Sequence, residues 1–276
     1  MKIENILVPT DFSTCAKNAL VNAIHLAEIA EARIILMSAF HVPVPHARVG
    51  STAIVHSLAS EVEENVKEDF QALEESLPQL DDINYKCVIR HGFAVDEILS
   101  AVAEYDIDLV VMGTHGASGV EEILLGSNTN SVIKRAKVPV LAIPENAGLQ
   151  KTNNILLASD YREIDDYNKL DPLKMIIDLF NAELHVLHIS PRDYISNESV
   201  SEAKKLENNL KGIKRSYHFE THDKFEDGLN DFMDEHPVDM IVMLPREHTL
   251  LDRILRGNHT RKIVLHSKIP LLTIHI

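Results

Sequence analysis

The sequence predicts an α/β protein of two tandem doubly wound domains, each a mainly parallel five-stranded sheet with helices on both faces. Three observations carry this expectation. The motifs of the first half recur in the same order in the second, short β-branched runs are apolar nearly throughout, and longer segments of helical period lie between them. A length of 276 residues suits two cores of the common ~100–150-residue size better than one.

The repeats set the halves in register. Asn5-Ile-Leu-Val-Pro-Thr-Asp11 returns as Asn154-Ile-Leu-Leu-Ala-Ser-Asp160, and Asp106-Ile-Asp-Leu-Val-Val-Met112 as Pro237-Val-Asp-Met-Ile-Val-Met243. Val138-Pro-Val-Leu-Ala-Ile143 returns as Ile269-Pro-Leu-Leu-Thr-Ile274. The seam falls in Glu145–Lys151, where Asn146 and Gly148 follow Pro144 and break regular structure, so the expected domains are 1–146 and 151–276.

In the first half, strands are expected at Ile3–Val8, Arg33–Ser38, Ile83–Ile89, Leu109–Met112 and Val138–Ile143. Their apolar character is that of parallel strands covered on both faces. Thr14–Ile29 is a helix with Ala16, Leu20, Ala23, Ile24 and Ala27 on one face. Val55–Leu77 is a longer helix with Glu61, Glu63, Glu64 and Glu68 on its wet side, and Val95–Tyr105 and Asn128–Ala136 supply two more.

In such a sheet ligands lie beyond the carboxyl ends of the strands. Three segments of the first half meet there: Pro9, Thr10 and Asp11 after the first strand, Ala39 and Phe40 after the second, and a glycine loop after Met112. That loop carries Gly113, Gly116 and Gly126, followed by Ser127. Its N–H groups, with Asn128 and the start of a helix, are expected to face phosphates, and Ser127 also reads as that helix's N-cap. Asp11 suits a ribose hydroxyl or a Mg²⁺ held through water. Two commoner phosphate motifs are absent: no Lys-Ser/Thr follows the glycines, and no GxGxxG follows the first strand.

The pattern Gly113-x2-Gly116-x9-Gly126-Ser127, opened by ILVPTDFS and closed by KVPVLAIP, resembles the universal stress protein family across essentially the whole chain. The resemblance implies an adenine-nucleotide α-hydrolase-like fold and a cofactor, ATP, with ADP or AMP as alternatives. Pro9, Thr10, Asp11 and Ala39 would then surround the adenosine. Met112, Gly113, His115 and Gly116, with Gly126, Ser127 and Asn128, would hold the phosphates, and Asp11 would reach the metal of Mg-ATP. It further implies that the last strands, Val138–Ile143 and Leu271–Ile274, pair as a pseudo-dimer within the chain, and that the protein forms a homodimer.

The second half departs at the loop. Leu244 and Glu247 replace the first two glycines, Pro245 removes an N–H donor and Asn258 replaces the serine, so no ATP is expected there. Arg246, Arg253 and Arg256 could instead receive another anion, but along an amphipathic segment arginines are more often solvated.

Composition excludes several classes. A net charge of −15 and the absence of Trp argue against nucleic acid, whose binding draws on Lys and Arg. The two cysteines, Cys15 and Cys87, show no paired spacing, no apolar run is long enough to span a membrane, and the first residues do not read as a signal peptide; a cytoplasmic protein is expected. The 15 histidines do not form a familiar metal set, because His185 and His188 alternate to opposite strand faces and His41, His46 and His56 lack Cys or carboxylate partners. His41–Ser51 is expected as a flap over the pocket. Catalysis has little support, since no Lys or Arg of the first loop is placed to stabilise a transferred phosphoryl group. Three readings remain: an ATP-binding sensing or signalling protein of the stress response with an unknown protein partner, a nucleotide-independent interaction module with glycines kept for packing, and a slow ATPase.

Overall fold

The computed structural model describes residues 2–42, 52–116, 125–191, 197–245 and 269–276. The first half runs β1 (Asn5–Pro9), α1 (Thr14–Ala30), β2 (Arg33–Phe40), α2 (Thr52–Glu75), β3 (Tyr85–His91), α3 (Ala94–Glu104), β4 (Leu109–Gly113), α4 (Ser127–Arg135) and β5 (Val140–Ile143). The second runs β6 (Asn154–Ala158), α5 (Asp171–Phe180), β7 (Glu183–Ser190), α6 (Asn197–Asn209), β8 (Arg215–Thr221), α7 (Phe225–Glu235), β9 (Met240–Met243) and β10 (Leu271–Thr273).

These strands form one sheet in the order β3-β2-β1-β4-β5-β10-β9-β6-β7-β8. Every neighbouring pair is parallel except the central one, where β5 and β10 run antiparallel with Leu271 opposite Ala142 and Thr273 opposite Val140. The pairing of last strands implied by the resemblance is thus present, and it fuses two five-stranded sheets into one. Alternation along the strands splits the core in two. Ile6 and Val8 join the face covered by α1, α2, α5 and α6, while Leu7 joins the face covered by α3, α4 and α7.

Three expectations need correction. β3 begins at Tyr85 and exposes Lys86 and Cys87, because it lies at the sheet edge instead of between covering layers. α2 starts earlier than Val55 and stops at Glu75 instead of Leu77, the residue before Pro78, where helical backbone is disfavoured. β5 begins at Val140, after Pro139 has accepted a hydrogen bond from Val110 N through its carbonyl at 3.0 Å. Among the described residues no helix is long and apolar enough to cross a membrane.

Candidate functional site

A cleft of about 290 Å³ opens at the carboxyl ends of β1, β2 and β4, against the start of α4. This is near the small end of the ~300–1,000 Å³ range of small-molecule sites. Pro9, Thr10, Asp11, Ala39, Met112, Gly113, His115, Gly116, Gly126, Ser127 and Asn128 all line it.

The β1–α1 turn shapes one wall. Thr10 N donates to Met37 O at 2.8 Å and so ties the turn to β2. Thr10 Oγ1 accepts from Phe12 N at 3.0 Å, and Asp11 Oδ1 accepts from Ser13 N at 3.1 Å and from Ser13 Oγ at 2.6 Å. These local bonds hold Phe12 at φ 62°, a value a bulky side chain rarely adopts. Ser13 then caps α1, its Oγ accepting from Ala16 N at 3.2 Å.

The opposite wall is the glycine loop. A Cβ on Gly116 would lie 2.3 Å from Asp11 Oδ2, so the loop and the Asp11 carboxylate approach across the cleft. Gly126 N donates to Thr114 O at 2.6 Å, which corrects the expectation that this N–H faces a ligand. Ser127 is not the N-cap of α4; Gly126 holds that position without a side-chain cap, and Ser127 is the first helical residue. The N–H groups of Ser127, Asn128 and Thr129 therefore belong to the first turn, where a helix leaves its donors without internal partners and carries positive partial charge. Thr129 Oγ1 donates to Gly113 O at 2.8 Å and fastens this turn to β4.

Sequence reading missed five lining residues: Ala16, Met37, Ala94, Ile98 and Thr129. Ala94 was within reach, since it starts the helix after the third strand, at the same sheet edge as the recognised segments. Ile98 follows it by one helical turn. The lining combines apolar side chains, Met37, Ala39, Ala94, Ile98 and Met112, with polar ones, Asp11, His115, Ser127, Asn128 and Thr129. Among the described residues no Lys or Arg lines the cleft, so these residues would hold an anion through backbone dipoles, hydroxyls and His115.

The universal stress protein family model matches residues 2–144 and, a second time, residues 153–275. The chain belongs to the universal stress protein family. It is 28% identical to the universal stress protein MJ0577 of Methanocaldococcus jannaschii over 152 residues, covering 51% of this chain and 94% of that protein. A universal stress protein of Thermus aquaticus is 31% identical over 142 residues, covering 51% of this chain and 98% of that protein. The crystal structure of a universal stress protein from Archaeoglobus fulgidus matches both halves together, with a TM-score of 0.69 and 21% identity over 99% of this chain and 98% of that one. That likeness is one of fold.

The second family domain keeps the turn and carries bulkier residues beside it. Ser159 Oγ accepts from Tyr161 N at 3.2 Å, Asp160 Oδ1 accepts from Arg162 N at 3.2 Å, and Tyr161 has φ 48°, as its counterpart Phe12 has 62°. Strand and helix registers place Ile189 where the first domain has Ala39, Phe225 where it has Ala94, and Leu244 where it has Gly113. Ile189 and Phe225 pack against the core on the face of α3, α4 and α7, and Leu244 against the core on the other face. A Cβ on Gly228 would meet Ile189 Cγ2 at 3.0 Å, so α7 has closed onto this strand end. Glu247, Arg246, Arg253, Arg256 and Asn258 lie outside the described residues, as do His46 and all but the first two residues of the His41–Ser51 flap.

Proposed function

We propose that the first domain binds an adenine nucleotide, ATP with its Mg²⁺, as the sensing or signalling ligand of a cytoplasmic stress-response protein, and that the second domain is its structural or regulatory partner. The supporting observation is a cleft at a helix start lined by both apolar and polar side chains, where the second domain carries the bulkier Ile189, Phe225 and Leu244 at the positions of Ala39, Ala94 and Gly113. The Asp11 carboxylate supplies the hard oxygen donor that Mg²⁺ prefers, and the first-turn N–H groups of α4 suit phosphate oxygens. A bound Mg²⁺ would offset the repulsion between Asp11 and the phosphates. Since β5 and β10 already pair within the chain, a homodimer would use a surface other than the last strands.

The interaction-module reading keeps one observation in its favour. Gly113 is required by packing, because a Cβ there would sit 2.9 Å from Cys15 Sγ and 3.1 Å from the Cys15 backbone. Placing the second domain's bulkier residues in the first domain's cleft separates the two readings. Calorimetric titration of Mg-ATP should give a binding isotherm with the parent and none with Ala39→Ile/Ala94→Phe, the variant's fold being checked by circular dichroism. A parent that evolves no heat, or a variant that binds as tightly, refutes nucleotide binding in this cleft.

A further inference from the structure

His115 lines the cleft, and both of its ring nitrogens are already engaged. Nδ1 lies 3.2 Å from Thr114 Oγ1, and Nε2 lies 3.2 Å from Glu145 Oε2. Glu145 belongs neither to the glycine loop nor to a strand. It stands in the segment that leaves β5 for the second domain, and that segment is clamped to α1. Asn18 Nδ2 donates to Pro144 O at 2.8 Å and to Ala147 O at 2.9 Å. Asn22, itself buried, donates through Nδ2 to Ala147 O at 3.3 Å and accepts from Leu149 N at 2.7 Å. The same helix begins at the Asp11–Ser13 turn on the opposite wall. The interdomain linker is therefore connected to both walls of the cleft, through α1 on one side and through Glu145 and His115 on the other.

The chemistry of the pair makes this connection sensitive to a ligand. A carboxylate only accepts, so Nε2 must be the donor to Glu145. With its other nitrogen against the Thr114 hydroxyl, the imidazole has no further N–H for an anion entering the cleft. A phosphate oxygen reaching for His115 must take the donor that Glu145 now holds, and the carboxylate remains nearby as a like charge. A ligand without phosphate leaves the His115–Glu145 contact in place and meets neither obstacle.

We propose that Glu145 is a specificity-determining and regulatory residue of the cleft: it holds His115 until a phosphate-bearing ligand displaces it, which penalises polyphosphates and transmits their arrival to the interdomain linker. This rests on the reading that the first domain binds an adenine nucleotide, and adenosine serves as the probe that keeps the two claims apart. Mg-ATP and adenosine are titrated by calorimetry into the full chain and into Glu145→Gln, with Glu145→Ala as a second variant. Removing the carboxylate tightens Mg-ATP by about five-fold or more, at the low end of measured coupling between sites, and leaves adenosine unchanged. In the parent, Mg-ATP also speeds amide exchange at Ala147 and Leu149, whose N–H groups are now bonded to Pro144 O at 3.1 Å and to Asn22 Oδ1 at 2.7 Å, and adenosine does not. Equal shifts for both ligands, or a weaker Mg-ATP complex in both variants, overturns the role of Glu145. Adenosine binding with no Mg-ATP dependence of linker exchange overturns its regulatory part. No heat from either ligand in the parent removes the nucleotide reading and this proposal with it.

Discussion

A Cβ built on Gly113 meets Cys15 at 2.9 Å through sulfur and at 3.1 Å through backbone, whereas one built on Gly116 meets, among the described residues, the end of the Asp11 side chain. The two glycines of one motif therefore answer to different constraints. At Gly113 the obstacle includes backbone where β4 passes the start of α1, and overpacking of that kind costs ~1–3 kcal/mol. At Gly116 a carboxylate can turn away, so the cost falls on the position of Asp11 and not on the fold. Thermal unfolding should accordingly show Gly113→Ala clearly destabilised and Gly116→Ala close to the parent. Comparable melting temperatures for the two would contradict this division. Gly126 differs again: its N–H is bound to Thr114 O, and its place before Ser127 makes it the residue from which α4 starts.

At the scale of elements, β7, β8 and α7 bring together a group of histidines that sequence spacing does not show. His185 Nδ1 lies 3.2 Å from His218 Nε2, Ser216 Oγ lies 2.9 Å from both, and the His236 ring stands 5.1 Å from that of His218 beside Phe232. His185 Nε2 is also 3.3 Å from Asn154 Oδ1 on β6. Burial lowers the His185 pKa below its ordinary value, with Glu183 opposing the shift and His236 and Lys214 adding to it. Burial also lowers that of His218, with His185 and His236 adding and Glu183 opposing. In the unfolded chain these side chains take up protons near ~6.5, above their folded values. As pH falls below that point the unfolded state binds more protons, and stability is lost. Melting temperature should thus decline from pH 8 to 5.5 more steeply in the parent than in His185→Asn/His218→Gln. Equal slopes would mean that other groups set the acid sensitivity.

For the molecule as a whole, the antiparallel seam between β5 and β10 is buried. Leu272 is 1% exposed, and Thr273 Oγ1 donates to Val140 O at 3.1 Å across it. Both hydrophobic cores draw residues from the two domains, so neither domain has a core wholly its own. Such sharing argues for one cooperative unit. Leu272→Ala, a core truncation of ~2–5 kcal/mol, should lower the midpoint of the entire denaturant transition, with amides of β1 and β6 losing exchange protection together. Loss of protection in β6 alone would show that the domains unfold separately.

The layout was legible because it rests on local pattern. Apolar strand runs, helical periodicity and a repeated motif order are properties of neighbouring residues, and they located the strands and helices within a few positions. The glycine spacing and the strand-end rule, together with the family resemblance, named eleven residues that line the cleft. Packing was not legible. The sequence shows an alanine at 39 and at 94 but not that they face one space, nor that Ile189 and Phe225 pack against the core at the equivalent positions. β3 reads as an ordinary apolar strand, and its edge position follows only from the order of the sheet. Sequence alone determined the α/β class, the duplication and the segments that meet at the cleft, since periodicity and spacing encode them. The tertiary structure decided that the first half has an open cleft, that the Gly126 N–H is already spent, and that His115 touches the linker through Glu145. Those outcomes depend on distances between residues far apart in the chain.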